Sequence, residues 1–162
     1  IPLVKKYNNI IVLRGVSKFF AAPGLRLGYA CVSNEKLLRY LWKHSNPWSI
    51  SSLAAYAGTV MFTDREYMEQ TRDLIAQEQS LICSALRARG TIKVFQPATN
   101  FVLLQILKDG ITSADVFEHC IRKGLMIRDC SNFMGLGPEY IRFCFLNPED
   151  DDRLVNTLLE IL

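Results

Sequence analysis

Two short apolar runs, residues 10–13 and 27–32, bracket a turn-rich segment in which Lys18 and Arg26 stand eight residues apart. Short runs of this kind, partly β-branched and bounded by small turn residues, read as buried strands. The connection between them, Arg14-Gly15-Val16-Ser17-Lys18-Phe19-Phe20-Ala21-Ala22-Pro23-Gly24-Leu25-Arg26, is therefore a loop that presents an amine and a guanidinium. The amine is suited to forming a Schiff base with a carbonyl, and a fixed cation nearby is suited to holding a phosphate.

Pyridoxal phosphate needs both groups. Ser17-Lys18 followed by Pro23-Gly24-Leu25-Arg26-Leu27-Gly28-Tyr29 resembles the cofactor-lysine segment of fold-type I aminotransferases, classes I and II. The resemblance implies that Lys18 is catalytic and carries the cofactor, that Ser17 adds a hydroxyl, and that Arg26 binds the cofactor phosphate. Alone, the lysine and arginine would read as surface residues flanking a glycine turn; the whole stretch favours the cofactor roles. One position departs from the family pattern. Gly15 stands where the family usually has Ser or Thr, and the lost hydroxyl removes a charge-assisted hydrogen bond of about 1.5–3 kcal/mol.

The chain has 162 residues and a net charge of +3, with 49% hydrophobic and 22% charged residues, an ordinary globular balance. No basic-aromatic stripe points to nucleic acid, and no apolar run approaches a membrane span. The five cysteines (Cys31, Cys83, Cys120, Cys130, Cys144) form no Cys-x-x-Cys pair, and His44 and His119 share no metal-ligand spacing with them. Free thiols in a reducing cytoplasm are the expectation, with no metal.

Along the chain, Ser33 is a candidate cap for a helix over 36–44 with Leu37, Leu38 and Leu41 on one face. Asn46-Pro47-Trp48-Ser49 breaks it. Ser51 or Ser52 caps a second helix over 53–62, apolar almost all round and so expected to be buried. Asp64 opens a long helix to about Arg89, with Leu74, Leu81 and Leu86 among its apolar positions and Gly90 as its stop. Strands are expected over 91–95, 101–106, 125–127 and 140–145. Ser113 is the expected cap of a helix to Lys123 with Val116, Phe117, Cys120 and Ile121 inward. A last helix is capped by Asn147, with Pro148 and an acidic run in its first turn. Leu154, Val155, Leu158, Leu159 and Leu162 form its buried stripe. The second half thus reads β-β-α-β-β-α, a small α+β domain.

The resemblance implies an α/β class: the latter half of a fold-type I enzyme, with the edge of a large-domain sheet and a complete small C-terminal domain. Residues 1–45 would end the cofactor-binding large domain. Residues 46–90 would carry a buried helix and a long interdomain helix, and 91–162 the small domain. A fragment of a longer enzyme is expected, because the family's first half carries the acid that pairs with the pyridine nitrogen and the ring-stacking residue. Such a fragment would be inactive alone; the parent would be a cytoplasmic homodimer acting on a small amino acid or amino phosphate.

Two arginines fall in late apolar strands, Arg128 and Arg142. A buried guanidinium needs a partner, and its planar fork matches a carboxylate or phosphate. Either a substrate anion or an internal ion pair, for instance with Asp129, would satisfy it. In the family, the arginine of the Tyr-x-Arg segment binds the substrate carboxylate, and Arg142 matches it; Arg128 is the second substrate-binding candidate. Arg128-x-Cys130-x-Asn132-Phe133 with Gly135-Leu136 resembles threonine-phosphate decarboxylase of cobalamin biosynthesis. Histidinol-phosphate aminotransferase shares the lysine stretch and an arginine like Arg128. Asn46-Pro47-Trp48-Ser49 also resembles a decarboxylase loop near the active-site mouth, with plain packing as the other reading of Trp48.

Overall fold

Residues 101–106 and 140–144 alternate buried with more exposed side chains, the period that buries one face of a strand pair. The computed structural model describes residues 1–162. In chain order its elements are α1 (Pro2–Lys6), β1 (Ile11–Gly15), β2 (Gly28–Val32), α2 (Glu35–His44), α3 (Ser52–Met61), α4 (Arg65–Arg87), β3 (Ile92–Val94), β4 (Phe101–Ile106), α5 (Ser113–Arg122), β5 (Arg128–Asp129), β6 (Tyr140–Cys144) and α6 (Pro148–Ile161). Two compact units divide the chain, Ile1–Glu69 and Gln70–Leu162. α4 runs through the boundary.

The second unit is a four-stranded antiparallel sheet in the order β3-β4-β6-β5 with helices packed on it. Val102 and Leu104 of β4 and Ile141 and Phe143 of β6 enter one apolar cluster. Leu86 of α4, Val116 and Cys120 of α5, and Leu158 of α6 complete it. Each fully buried aliphatic side chain there contributes about 1.5–3 kcal/mol. The stripe expected on α6 is in this core: Leu154, Val155, Leu158 and Leu162 are buried and Leu159 is partly so. Of the residues expected inward on α5, Val116, Phe117 and Cys120 reach the core, whereas Ile121 stays exposed.

The first unit holds a two-stranded sheet in which Ile11 pairs with Val32 and Gly15 with Gly28. Here two expectations are corrected. β1 and β2 are not buried strands; Leu13 is 76% exposed, and Ile11 and Tyr29 are exposed as well. α3 is not buried either: only Ala54 and Gly58 are enclosed, while Leu53, Tyr56 and Val60 face outward. The reason is the same for both. A two-stranded sheet and short helices within this unit offer too little surface to cover an element that is apolar on several sides.

Several local expectations shift by a residue. Asn34, not Ser33, caps α2, its side chain accepting from the Lys36 and Leu37 N–H groups; the Ser33 hydroxyl instead donates to the Tyr7 carbonyl. Ser51 caps α3, and Asp64 accepts from the Tyr67 N–H at the start of α4. Thr112, not Ser113, caps α5 in a reciprocal box with Asp115. On α4, Leu86 is buried, but Leu74 and Leu81 face outward and Ile82 and Cys83 take the core positions. The third expected strand lies over Arg128–Asp129 rather than 125–127. All five cysteines are free; Cys83, Cys120 and Cys130 are buried, and Cys144 is exposed.

The acidic first turn of α6 includes one buried carboxylate. Asp151 accepts the Leu146 N–H with both oxygens at 3.1 Å. Burial pushes its carboxyl above the ordinary range, the Leu146 N–H opposes this, and the charges of Glu78, Asp150 and Asp152 add to the rise. The folded chain therefore holds this proton to a higher pH than the unfolded chain. The associated stability is full below the ordinary value of 3.8 and is lost as pH rises through the folded value. Asp151→Asn keeps an acceptor for Leu146 and removes the titration, so its stability should depend less on pH just above 3.8. Asp151→Ala strands the buried N–H and should cost about 1–3 kcal/mol. Denaturant titrations at several acidic pH values check both, and parallel pH slopes for wild type and Asp151→Asn would rule the explanation out.

Candidate active-site loop and arginine pair

The loop between β1 and β2 is pinned at both ends. Val16 is fully buried and donates its N–H to the Leu27 carbonyl at 3.2 Å. Phe20 N–H then closes a turn on the Val16 carbonyl, and Ala21 N–H closes one on Lys18. Lys18 sits on this turn, exposed and outside every ion pair of the chain. Ser17 beside it is half-buried. A 3-10 turn over Pro23–Leu25 leads to Arg26, whose guanidinium donates from Nη1 to the Pro23 carbonyl at 3.0 Å.

Ala21 and Arg26 are the two non-glycine residues with left-handed backbone, at φ 48° and φ 52°. L-residues adopt this conformation at a cost of roughly 1–2 kcal/mol. Both lie in the segment that carries Lys18 and Arg26, so the packing beneath the loop holds it in an unfavoured shape.

That packing is aromatic. The Tyr67 ring of α4 stacks on Phe20 with centroids 5.6 Å apart, and its hydroxyl donates to the Phe19 carbonyl at 3.0 Å. Phe62 meets both Phe20 and Tyr29 edge-on, at 5.7 and 5.6 Å. Sequence reasoning missed Tyr67 and Phe62. The signal available was the pair Phe19-Phe20 beside the lysine, which needs apolar partners from elsewhere in the chain. Trp48, by contrast, is 88% exposed, so plain packing of its ring is not realised within this chain.

The two glycines opposite each other in the β1–β2 pair differ. A Cβ on Gly28 would lie 2.7 Å from the Arg14 carbonyl oxygen, whereas one on Gly15 would meet nothing closer than 3.9 Å.

In the second unit, Arg128 and Arg142 are direct cross-strand partners on β5 and β6. Ile141 and Phe143 point into the core, so Arg142 between them projects from the opposite sheet face. Its guanidinium lies 4.8 Å from the Phe101 ring centroid and 5.9 Å from that of Phe133. Arg128 lies 5.0 Å from the same Phe133 ring and donates to Asn132 Oδ1 at 2.9 Å.

The ion-pair alternative is not realised. Asp129 pairs in register with Ile141, and its carboxylate accepts from the Ser131 N–H and the Ser113 hydroxyl, each at 2.8 Å. The Ser131 N–H above all holds its carboxyl below the ordinary range, against a desolvation cost. No carboxylate forms an ion pair with either arginine. Cys130, buried behind them, has its thiol pushed up by burial, with Arg142 and Arg128 pulling the other way. The two histidines serve elsewhere: His119 meets Glu160, and His44 packs on Tyr40.

The profile of the aminotransferase class I and II family matches residues 1–158, and the chain belongs to that family. A Caldanaerobacter subterraneus subsp. tengcongensis protein, provisionally named threonine-phosphate decarboxylase, is 37% identical over 158 residues, covering 98% of this chain and 42% of its own length. Histidinol-phosphate aminotransferase 2 of Archaeoglobus fulgidus is 36% identical, with 99% of this chain and 45% of that protein covered. The crystal structure of histidinol-phosphate aminotransferase from Clostridium acetobutylicum superposes with a TM-score of 0.92 at 28% identity, over 99% of this chain and 48% of that one. The mixed α/β chain thus spans a little under half the length of the relatives it matches, enzymes of a family that works with pyridoxal phosphate.

Opposite signs are expected for two substitutions in the loop region. Gly28→Ala forces a Cβ against rigid backbone and should cost about 1–3 kcal/mol. Ala21→Gly relieves a left-handed residue and should leave stability unchanged or raise it by up to about 1 kcal/mol. Thermal denaturation of the two variants is the check.

Proposed function

We propose that this chain is the latter part of a pyridoxal-phosphate enzyme acting on an amino phosphate, with L-threonine-O-3-phosphate decarboxylation as its reaction. In this reading residues 1–45 end the cofactor-binding large domain, 46–90 lead out of it, and 91–162 are the small C-terminal domain. The parent is a cytoplasmic homodimer. The observation that carries the substrate class is the pair Arg128 and Arg142: two guanidinium groups at one register position, neither committed to a carboxylate. Two open cations suit a substrate with two anions.

The loop residues fit the cofactor chemically. They offer an exposed amine, an adjacent hydroxyl and a guanidinium on one braced segment, with no ion pair consuming the amine. Lys18 is the covalent attachment point, Ser17 and Arg26 hold the phosphate, and the open space at Gly15 is where the family's usual hydroxyl would stand. Pyridoxal phosphate, when bound, supplies an electron sink for bond breaking at the substrate Cα. Lys18 carries protons to and from that carbon. Arg142 holds the substrate carboxylate and Arg128 the substrate phosphate. The orientation that Arg142 imposes on the carboxylate decides between loss of carbon dioxide and loss of the Cα proton.

Transamination of histidinol phosphate is the second reading, favoured by the 36% identity to the Archaeoglobus protein and the superposition on the Clostridium structure. That substrate has a phosphate but no carboxylate, so Arg142 would then be structural. A non-catalytic role for the isolated chain is the third.

The decisive assay follows carbon dioxide release from O-phospho-L-threonine and amino-group transfer from histidinol phosphate side by side in the whole protein. Fast transfer with no carbon dioxide would sink the decarboxylase reading and leave the cofactor roles standing. Lys18→Ala should abolish both turnover and the protein-bound cofactor absorbance. Gly15→Ser, which restores a hydroxyl without a clash, should tighten cofactor binding, by up to about 1.5–3 kcal/mol; unchanged affinity would show that another group already serves the phosphate.

A further inference from the structure

Phe133 touches both arginines of the pair, yet neither the family resemblance nor the proposed reaction gives it a role. Its ring centroid lies 5.0 Å from the Arg128 guanidinium and 5.9 Å from that of Arg142. Two cations directly opposite each other on neighbouring strands repel. The negative faces of an aromatic ring offset that repulsion. A carboxylate placed there would do so too, but would take up guanidinium N–H donors in hydrogen bonds. A ring takes up none. We propose that Phe133 is a positioning residue, holding the Arg128 and Arg142 forks together while leaving their N–H donors, apart from the one Arg128 gives to Asn132, open for a substrate carrying phosphate and carboxylate. The inference rests on the anion-binding reading of the two arginines.

The loop is built to hold that ring. Phe133 N–H donates to the Cys130 carbonyl at 3.0 Å, and Leu136 N–H donates to the Phe133 carbonyl at 3.0 Å. Gly135 takes a left-handed φ of 85°, which lets the chain turn back between them. Cys130 N–H is tied to the Tyr140 carbonyl at 3.0 Å, and Ser131 N–H to the Asp129 carboxylate at 2.8 Å. The neighbouring Met134 is fully exposed, whereas Phe133 is 39% exposed and keeps its ring against the two guanidinium groups. Phe101, 4.8 Å from Arg142, braces the same guanidinium by the same means.

The test measures affinity for O-phospho-L-threonine and for inorganic phosphate by calorimetry in the whole protein with cofactor bound. Phe133→Leu keeps apolar bulk and removes the ring; Phe133→Tyr keeps the ring face. Phe133→Leu should weaken phosphothreonine binding roughly five- to tenfold with an unchanged unfolding midpoint, and Phe133→Tyr should restore it to within about twofold. Inorganic phosphate, which engages fewer donors, should lose less. Wild-type affinity in Phe133→Leu, while Arg142→Ala and Arg128→Ala bind poorly, would overturn the positioning role and spare the proposed function. Equal losses in Phe133→Leu and Phe133→Tyr would also overturn it, since shape alone would then decide. Wild-type affinity in both arginine variants would overturn the anion-binding reading, and this inference with it.

Discussion

The pairing of β4 with β6 is the contact on which the second unit depends. It places Val102, Leu104, Ile141 and Phe143 on one face, where α4, α5 and α6 close over them. Because side chains alternate, the same pairing turns Phe101 and Arg142 to the other face. A one-residue slip would carry the arginine into the core and the apolar set into solvent. The rigidity of the core and the presentation of the cation are thus one structural decision.

The lysine loop is held on a different principle. It has no thick core beneath it; Val16 is buried, and rings from Phe19, Phe20, Tyr29, Phe62 and Tyr67 cluster there. Those contacts gather around a loop in which Ala21 and Arg26 take left-handed backbone. Strain maintained by surrounding packing is a property of functional segments. Here it falls in the segment that carries Lys18 and Arg26.

The exposed apolar faces of the first unit and the enclosed core of the second differ for a physical reason. A four-stranded sheet with helices upon it buries a continuous layer; a two-stranded sheet with short helices does not. Leu13 and Tyr56 stand exposed although their sequence context is that of buried residues. The chain spans a little under half of its relatives' length.

Much was legible in the sequence because it rests on local chemistry. The order β-β-α-β-β-α, the α6 cap at Asn147 and the stripe from Leu154 to Leu162 follow from residue type and spacing. Caps went astray by one residue where two candidates adjoin, Ser33 with Asn34 and Thr112 with Ser113, since only the backbone angle chooses between them. What tertiary structure alone decided was pairing across the chain. Arg128 meeting Arg142, Phe133 reaching both, Asp129 turning instead to Ser113, and Tyr67 stacking under the lysine loop all depend on strand register and helix placement. Periodicity shows which side of an element a residue occupies; it carries no information on which distant residue will be there to meet it.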